Sequence, residues 1–157
     1  MRTTLTVALL LLAGAPFLGQ TAQGQLYSSL GLGVVSPQGD FGDYYDMGAT
    51  FRAQAGISIL SMLDAHLQTG VTSFVLSDDY EGSDAGDANV YHAGVGVRVG
   101  LGFIFVGANA AYFFGDGESG LGLFPEVAVK IWRLEAVADY RIDGDENWGA
   151  VRLAWRF

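Results

Sequence analysis

The feature that most constrains this chain is an alternation of apolar and polar residues, which recurs in about eight segments. Successive residues of a β-strand point to opposite faces, so the pattern predicts strands with one apolar and one polar face. It is clearest from Ala49 to Ile59, where Thr50, Arg52 and Gln54 share the polar face. The division recurs over 91–99, 134–142 and 148–157, and less strictly over 26–35, 63–75, 103–114 and 121–131.

The basic residues indicate which face is enclosed. Arginine or lysine facing lipid at the bilayer midplane costs about 2–4 kcal/mol, so a lipid-facing surface should lack them. The apolar face has none, whereas six basic residues fall on the polar face: Arg52, Arg98, Lys130, Arg141, Arg152 and Arg156. Glycines on the same face suit a narrow interior filled by side chains. The sequence therefore predicts an all-β fold, an eight-stranded antiparallel up-and-down transmembrane β-barrel.

The predicted connections alternate in length. Tight turns at 60–63, 100–102 and 131–133 alternate with longer, acidic connections at 37–47, 76–88, 115–120 and 143–147. Outer-membrane barrels combine short periplasmic turns with longer outer loops, which matches this order. Aromatic residues near the strand ends predict two interfacial girdles, one of Tyr91, Tyr112, Tyr140 and Trp148 and one of Phe103, Trp132, Trp155 and Phe157. Pro125 interrupts a strand, so we expect a bulge or an irregular rim there.

The N-terminus is predicted to be a cleaved export signal over residues 1–24. Arg2 is followed by an apolar stretch from Leu5 to Ala13 and by the small-x-small sequence Ala22-Gln23-Gly24. Residues 25–157 then form one barrel domain. No later stretch has the roughly 18 apolar residues that a membrane-spanning helix needs. The chain contains no cysteine, which excludes thiolate chemistry.

Without the signal, the chain has seven basic and seventeen acidic residues, so its net charge is −10. This charge disfavours a nucleic-acid partner, because binding to phosphates requires clustered lysine and arginine. Thirteen acids fall in the predicted loops, with no lysine or arginine among them. A solvated, aggregation-resistant surface is the simpler interpretation. Divalent cation binding is the alternative, although the spacing is not that of a calcium-binding hand. Its weak candidate ligands are Asp78, Asp79, Glu81, Asp84 and Asp87. No other metal site and no cofactor is predicted.

The charged residues that face inward are predicted to neutralise one another, because buried charges are normally paired. The turn at 131–133 places Lys130 opposite Glu135 and Glu126 opposite Asp139. Two adjacent carboxylates could instead serve as a general acid, but the arginines of the lumen favour a structural network. Its predicted members are Arg52, Arg98, Glu126, Lys130, Glu135, Asp139, Arg141, Arg152 and Arg156.

The two histidines, His66 and His92, both face inward on adjacent predicted strands, as metal ligands would. The opposite directions of these strands place them at opposite ends of the barrel, so no shared metal site is expected. Motifs of serine hydrolases, phosphate loops and zinc proteases do not occur. We therefore expect a protein that is not an enzyme.

The C-terminal segment, with Val151, Leu153, Trp155 and Phe157 on one face, resembles the terminal aromatic signal that the barrel assembly machinery recognises. Together with the sequence Gly-Asp-Phe-Gly-Asp at 39–43, it makes the chain similar to small outer-membrane barrels of the OmpA and OmpX type, within the porin-like outer-membrane β-barrel domain group. The resemblance implies a monomer in the outer membrane, with lipid, lipopolysaccharide and the assembly machinery as partners. It implies no single activity, since such barrels include anchors, adhesins and pores.

Four functional hypotheses follow. The first is a non-enzymatic barrel with a filled lumen and acidic loops that serve surface interaction or envelope integrity. The second is a narrow channel for water, ions or a small apolar solute. The third is an outer-membrane lipid hydrolase, and the fourth is a soluble periplasmic barrel.

Overall fold

A computed structural model of the chain describes residues 24–59, 62–77, 87–116, 119–142 and 147–157. The predicted export signal, apart from Gly24, lies outside these residues. So do four of the five candidate cation ligands, Asp78, Asp79, Glu81 and Asp84.

Antiparallel strands form a closed barrel in chain order, and the predicted fold is confirmed. The strands are β1 (Gln25–Gln38), β2 (Gly48–Ile59), β3 (Leu63–Phe74), β4 (Ala88–Leu101), β5 (Ile104–Gly115), β6 (Gly120–Ile131), β7 (Leu134–Arg141) and β8 (Asn147–Arg156). Pairing of β1 with β8 closes the barrel, and a short helix, α1 (Asp40–Tyr44), follows β1. None of the helical residues in the described ranges belongs to a helix long and apolar enough to cross a membrane.

Strand alternation places the apolar side chains outside and the charged ones inside. Leu153 is 60% exposed, and Phe51 and Val97 also lie on the outer surface. Arg98 is only 1% exposed, and Arg52 is likewise buried in the lumen. A soluble barrel would have the reverse arrangement, with a dry apolar centre and charges in water.

The two ends of the barrel differ. Short connections join β2 to β3, β4 to β5 and β6 to β7, and we call this the turn end. The opposite end, the loop end, carries α1 and the longer connections. The first connection, predicted at 37–47 as a loop, contains α1 and is shorter than expected, because β1 extends to Gln38.

Of the two irregularities expected at Pro125, a bulge or an irregular rim, the described β5, β6 and β7 contain no bulge, but the pairing of β6 with β7 is interrupted there. Pro125 pairs with Ala108 in an unbroken β5–β6 register. On the other side, the β6–β7 ladder ends at Glu126 and resumes only as an isolated bridge between Leu123 and Ile142. Proline lacks the backbone N–H, so it interrupts the ladder without an extra residue being inserted.

Candidate functional site in the lumen

The centre of the lumen is occupied by Arg98, which extends from β4 towards the opposite strands. Its Nε donates a hydrogen bond to Glu126 Oε1, and its Nη1 donates to Glu135 Oε2 at 3.1 Å. Its Nη2 also donates to Gln54 Oε1 at 3.4 Å. One guanidinium therefore joins side chains of the neighbouring strands β6 and β7 to a side chain of β2, which pairs with neither of them.

Towards the turn end, Arg156 makes a second bridge. Its Nη1 lies 2.8 Å from Asp64 Oδ2 and 3.2 Å from Glu135 Oε1. Its Cζ also lies 3.5 Å from the ring centroid of Tyr27, a cation–π distance. Asp64 accepts a further hydrogen bond from the Ser58 hydroxyl. The predicted network did not include Asp64, although its inward position opposite Arg98 in the β3–β4 register could have identified it.

Towards the loop end, two carboxylates are direct cross-strand neighbours, Glu126 on β6 and Asp139 on β7. Arg52 lies between them, with its Nη1 3.2 Å from Asp139 Oδ2 and 4.0 Å from Glu126 Oε2. Arg152 forms a further ion pair with the same Asp139 oxygen. Each of the two carboxylates therefore contacts two guanidinium groups, as expected for a structural ion-pair network.

These contacts form one continuous chain, which we call the lumen charge network. It links, in order, Asp64, Arg156, Glu135, Arg98, Glu126, Arg52, Asp139 and Arg152. Four guanidinium groups balance four carboxylates, and all eight side chains are buried. The balance matters because removing one partner of a buried ion pair lowers the free energy of unfolding by about 3–5 kcal/mol.

Two predicted members lie outside this chain of contacts. Lys130 is opposite Glu135 in the register, but its Nζ lies 5.5 Å from the ring centroid of Phe105. Arg141 stacks between two rings, with its Cζ 3.9 Å from the centroid of Phe113 and 4.1 Å from that of Trp148. Both side chains thus contact aromatic rings of the lumen.

Above the charges, towards the loop end, aromatic side chains fill the lumen. We call this the aromatic layer, and it consists of Phe74, Phe113, Phe124 and Trp148. Its ring centroids are 5.1 to 5.7 Å apart between neighbours. Trp148 was predicted in an outer girdle, which is wrong, because it is 2% exposed and shares the inward face of β8 with Arg152.

Helix α1 covers the aromatic layer. The ring centroid of Phe41 lies 4.9 Å from that of Phe74, in an edge-on arrangement, and 6.0 Å from that of Trp148. Tyr45, which follows α1, packs on Phe41 at 4.8 Å. The lumen is therefore occupied at three successive levels: the charge network, the aromatic layer and the helical cover.

The histidines are separated along the barrel. His66 pairs with Gly96 and His92 with Gly70, four residues further along β3. His66 Nε2 lies 2.8 Å from Asn109 Oδ1, whereas His92 lies beside the ring of Phe113. Within the described ranges, no group of three or more potential ligands could hold a metal ion.

Comparison with known proteins places this geometry in a structural class. No protein-family model and no curated protein matches the sequence. Among solved structures, the crystal structure of Neisserial surface protein A is similar with a TM-score of 0.52 and 15% identity, covering 85% of this chain and 97% of that one. The outer membrane protein Ail of Yersinia pestis, solved in a phospholipid bilayer nanodisc, gives a TM-score of 0.54 and 13% identity, covering 85% and 100%. The chain has the fold of the small outer-membrane β-barrels.

As in other barrels of this fold, the outer surface carries aromatic side chains near both ends. Tyr91, Tyr112 and Tyr140 are exposed towards the loop end. Phe103, Trp132, Trp155 and Phe157 are exposed towards the turn end. A belt of leucine and valine side chains lies between them.

Proposed function

We propose that this protein is a non-enzymatic barrel of the outer membrane, whose filled lumen serves rigidity and whose loop end serves surface interaction or envelope integrity. The observation that carries the proposal is the occupation of the lumen at three levels. A pore needs a continuous polar path, but here aromatic rings lie above a buried network in which four guanidinium groups balance four carboxylates. Side chains alone can fill a barrel of eight strands.

The proposed location rests on the exposed apolar belt and on the fold. Removal of apolar surface from water is favourable by about 20–33 cal/mol per Å². Such a belt is therefore far more stable in contact with lipid than in contact with water. We propose that residues 1–24 direct export and are then removed. We also propose that the assembly machinery recognises the last strand through Val151, Leu153, Trp155 and Phe157, all of which are exposed on the outer face.

At the loop end, we propose a hydrated acidic surface. Five described acids are exposed there: Asp40, Asp43, Asp46, Asp87 and Asp116. Such a surface repels other acidic surfaces and suits a monomer surrounded by lipid and lipopolysaccharide. Divalent cations would be the natural bridge between these acids and anionic sugars or phosphates. Of the candidate cation ligands, Asp87 accepts a hydrogen bond from the backbone N–H of Leu76.

Conductance of the refolded protein in planar bilayers tests the filled lumen. We expect no discrete channel openings, with insertion verified on the same sample by flotation with vesicles and by the circular dichroism of β-structure. Reproducible single-channel steps from inserted protein would contradict the proposal and favour a narrow channel.

A further inference from the structure

The tight turn between β6 and β7 contains a residue in an unusual backbone conformation. Trp132 has a φ of +58°, in the left-handed region that side chains generally avoid. The turn between β4 and β5 has the same length, and its first residue is Gly102 with a φ of +74°. Glycine adopts this conformation without steric cost, whereas a bulky residue does not. The β6–β7 turn therefore holds a tryptophan where its counterpart has glycine.

This conformation presents Trp132 to the surroundings. The side chain is 76% exposed, and its ring stands edge-on to that of Trp155 with centroids 5.6 Å apart. The guanidinium Cζ of Arg133 lies 5.4 Å from the centroid of the Trp132 ring. We call these three residues the Trp–Arg cluster. Strained backbone conformations cluster at functional sites, so the turn is a candidate binding site.

The charge of the cluster is distinctive. Arg133 is the one exposed basic residue in the described part of the chain. Its guanidinium contacts the Trp132 ring and joins no ion pair within the described ranges. The described exposed acids all lie at the loop end, about a barrel length away, so nothing acidic and exposed among those residues competes for Arg133. Adjacent Ile131 and Leu134 are exposed and apolar.

We propose that the Trp–Arg cluster binds the phosphate of an anionic phospholipid headgroup in the leaflet at the turn end. This inference rests on the proposed membrane insertion. A guanidinium can donate two parallel hydrogen bonds to a phosphate, and tryptophan rings prefer the boundary between acyl chains and headgroups. The lipid phosphate contacts Arg133, the rings of Trp132 and Trp155 border the glycerol region, and the acyl chains follow Ile131 and Leu134 down the belt.

Lipid selectivity measured by electron paramagnetic resonance tests the site. The protein is inserted into phosphatidylcholine vesicles that contain trace spin-labelled phosphatidylglycerol or phosphatidylcholine, and the motionally restricted fraction is compared. We expect wild type to favour phosphatidylglycerol at least about threefold, because one basic residue near the surface attracts anionic lipid severalfold. Arg133→Gln should reduce this ratio to near one. Phe103→Leu, which alters an exposed aromatic in the other tight turn, is the matched control and should leave it unchanged.

Trp132→Gly separates binding from folding. It should lower the lipid preference while raising the urea concentration at which the barrel unfolds, because glycine relieves the left-handed strain. An unchanged preference together with a lower unfolding midpoint would show that Trp132 is purely structural and would overturn its role in binding.

Two further results would overturn the site as a whole. One is equal association of both labelled lipids with wild type, and the other is loss of selectivity when millimolar inorganic phosphate is added, which would indicate a site for free phosphate. Vesicle flotation distinguishes the two proposals, since protein that floats without lipid preference contradicts only the site. Protein that fails to float contradicts the proposed membrane insertion.

Discussion

Among single residues, Arg98 contributes most clearly to the connectivity of the lumen. It joins the carboxylates of Glu126 and Glu135 and contacts Gln54. Burial of this guanidinium is tolerated because the carboxylates of Glu126 and Glu135 compensate its positive charge. The same arginine placed on the outer surface would face lipid alone, which explains why the network is confined to inward positions.

Replacement of Arg98 by Met should lower the free energy of unfolding by about 3–5 kcal/mol, because two buried carboxylates lose their shared partner. Urea titration of protein refolded into phosphatidylcholine vesicles measures the change. Arg133→Met is the control, because it removes an exposed arginine and should alter stability by no more than about 0.5 kcal/mol. A loss of less than about 1 kcal/mol for Arg98→Met would show that the network is not needed for stability.

Glycines in the lumen provide the space that these long side chains fill. A Cβ at Gly96 would lie 2.5 Å from His66 Nε2 and would also meet the Asn109 side chain. At Gly149 the nearest atom to such a Cβ is Tyr140 Cδ2, at an ordinary 3.8 Å. The inward side chains of the neighbouring strands therefore require glycine at position 96, whereas Gly149, on the outer face of β8, has room for a Cβ.

Gly96→Val should consequently destabilise the barrel by about 1–3 kcal/mol through overpacking. Gly149→Ala, a control at an outward-facing glycine with open space, should change the unfolding free energy by less than about 0.5 kcal/mol. Equilibrium unfolding of both variants in the same vesicles checks the difference. Equal effects would mean that the lumen adapts freely around His66.

At the scale of elements, α1 is held over the barrel mouth mainly by one ring. Phe41 packs on Phe74 and Trp148, while the exposed face of the helix carries Asp40 and Asp43. The segment is also joined to the residue that follows β3 by a hydrogen bond from Asp46 N to Val75 O of 2.9 Å. A helix of five residues has no independent stability in water, so its position depends on these contacts.

Phe41→Ala should therefore speed amide hydrogen exchange at Tyr45 and Asp46, with a loss of about 1–2 kcal/mol in local opening free energy for a partly buried ring. Met47→Ala, which removes a side chain that is 62% exposed, is the control and should leave exchange unchanged. Unaltered protection in Phe41→Ala would show that the backbone contacts alone hold the cover in place.

At the scale of the whole molecule, the distribution of apolar and charged side chains indicates which surfaces contact lipid and which contact water. Apolar side chains cover the outside, paired charges fill the inside, and the described exposed acids lie at the loop end. A closed barrel also leaves no unpaired strand edge, as an apolar medium requires. These properties together suit lipid around the belt and water at the loop end.

Arginine substitutions on the outer surface should reveal the depth of each position in the bilayer. Leu153→Arg, near the middle of the belt, should cost about 2–4 kcal/mol, whereas Ile131→Arg at the turn end should cost about 0–1 kcal/mol. Unfolding in vesicles measures both variants. Equal, small costs would contradict a lipid-facing belt.

Local sequence was sufficient to predict the strands and their faces. Alternation from Ala49 to Ile59 or from Leu134 to Ile142 specifies a strand and its two faces without reference to any distant residue, because each residue reverses direction relative to the last. The confinement of basic residues to one face then indicated which face is enclosed. The same alternation places Trp148 on the inward face with Arg152, although its location near a strand end is also typical of an aromatic girdle.

Tertiary structure alone decided which charges meet. The register of neighbouring strands paired Glu126 with Asp139, but contacts across the lumen depend on the tilt and closure of the whole barrel. Closure brings Arg98 to Glu126 and Glu135, draws Asp64 into the network and places Arg141 between aromatic rings. Alternation is a local property of the backbone, whereas these partners are fixed only when β1 and β8 meet.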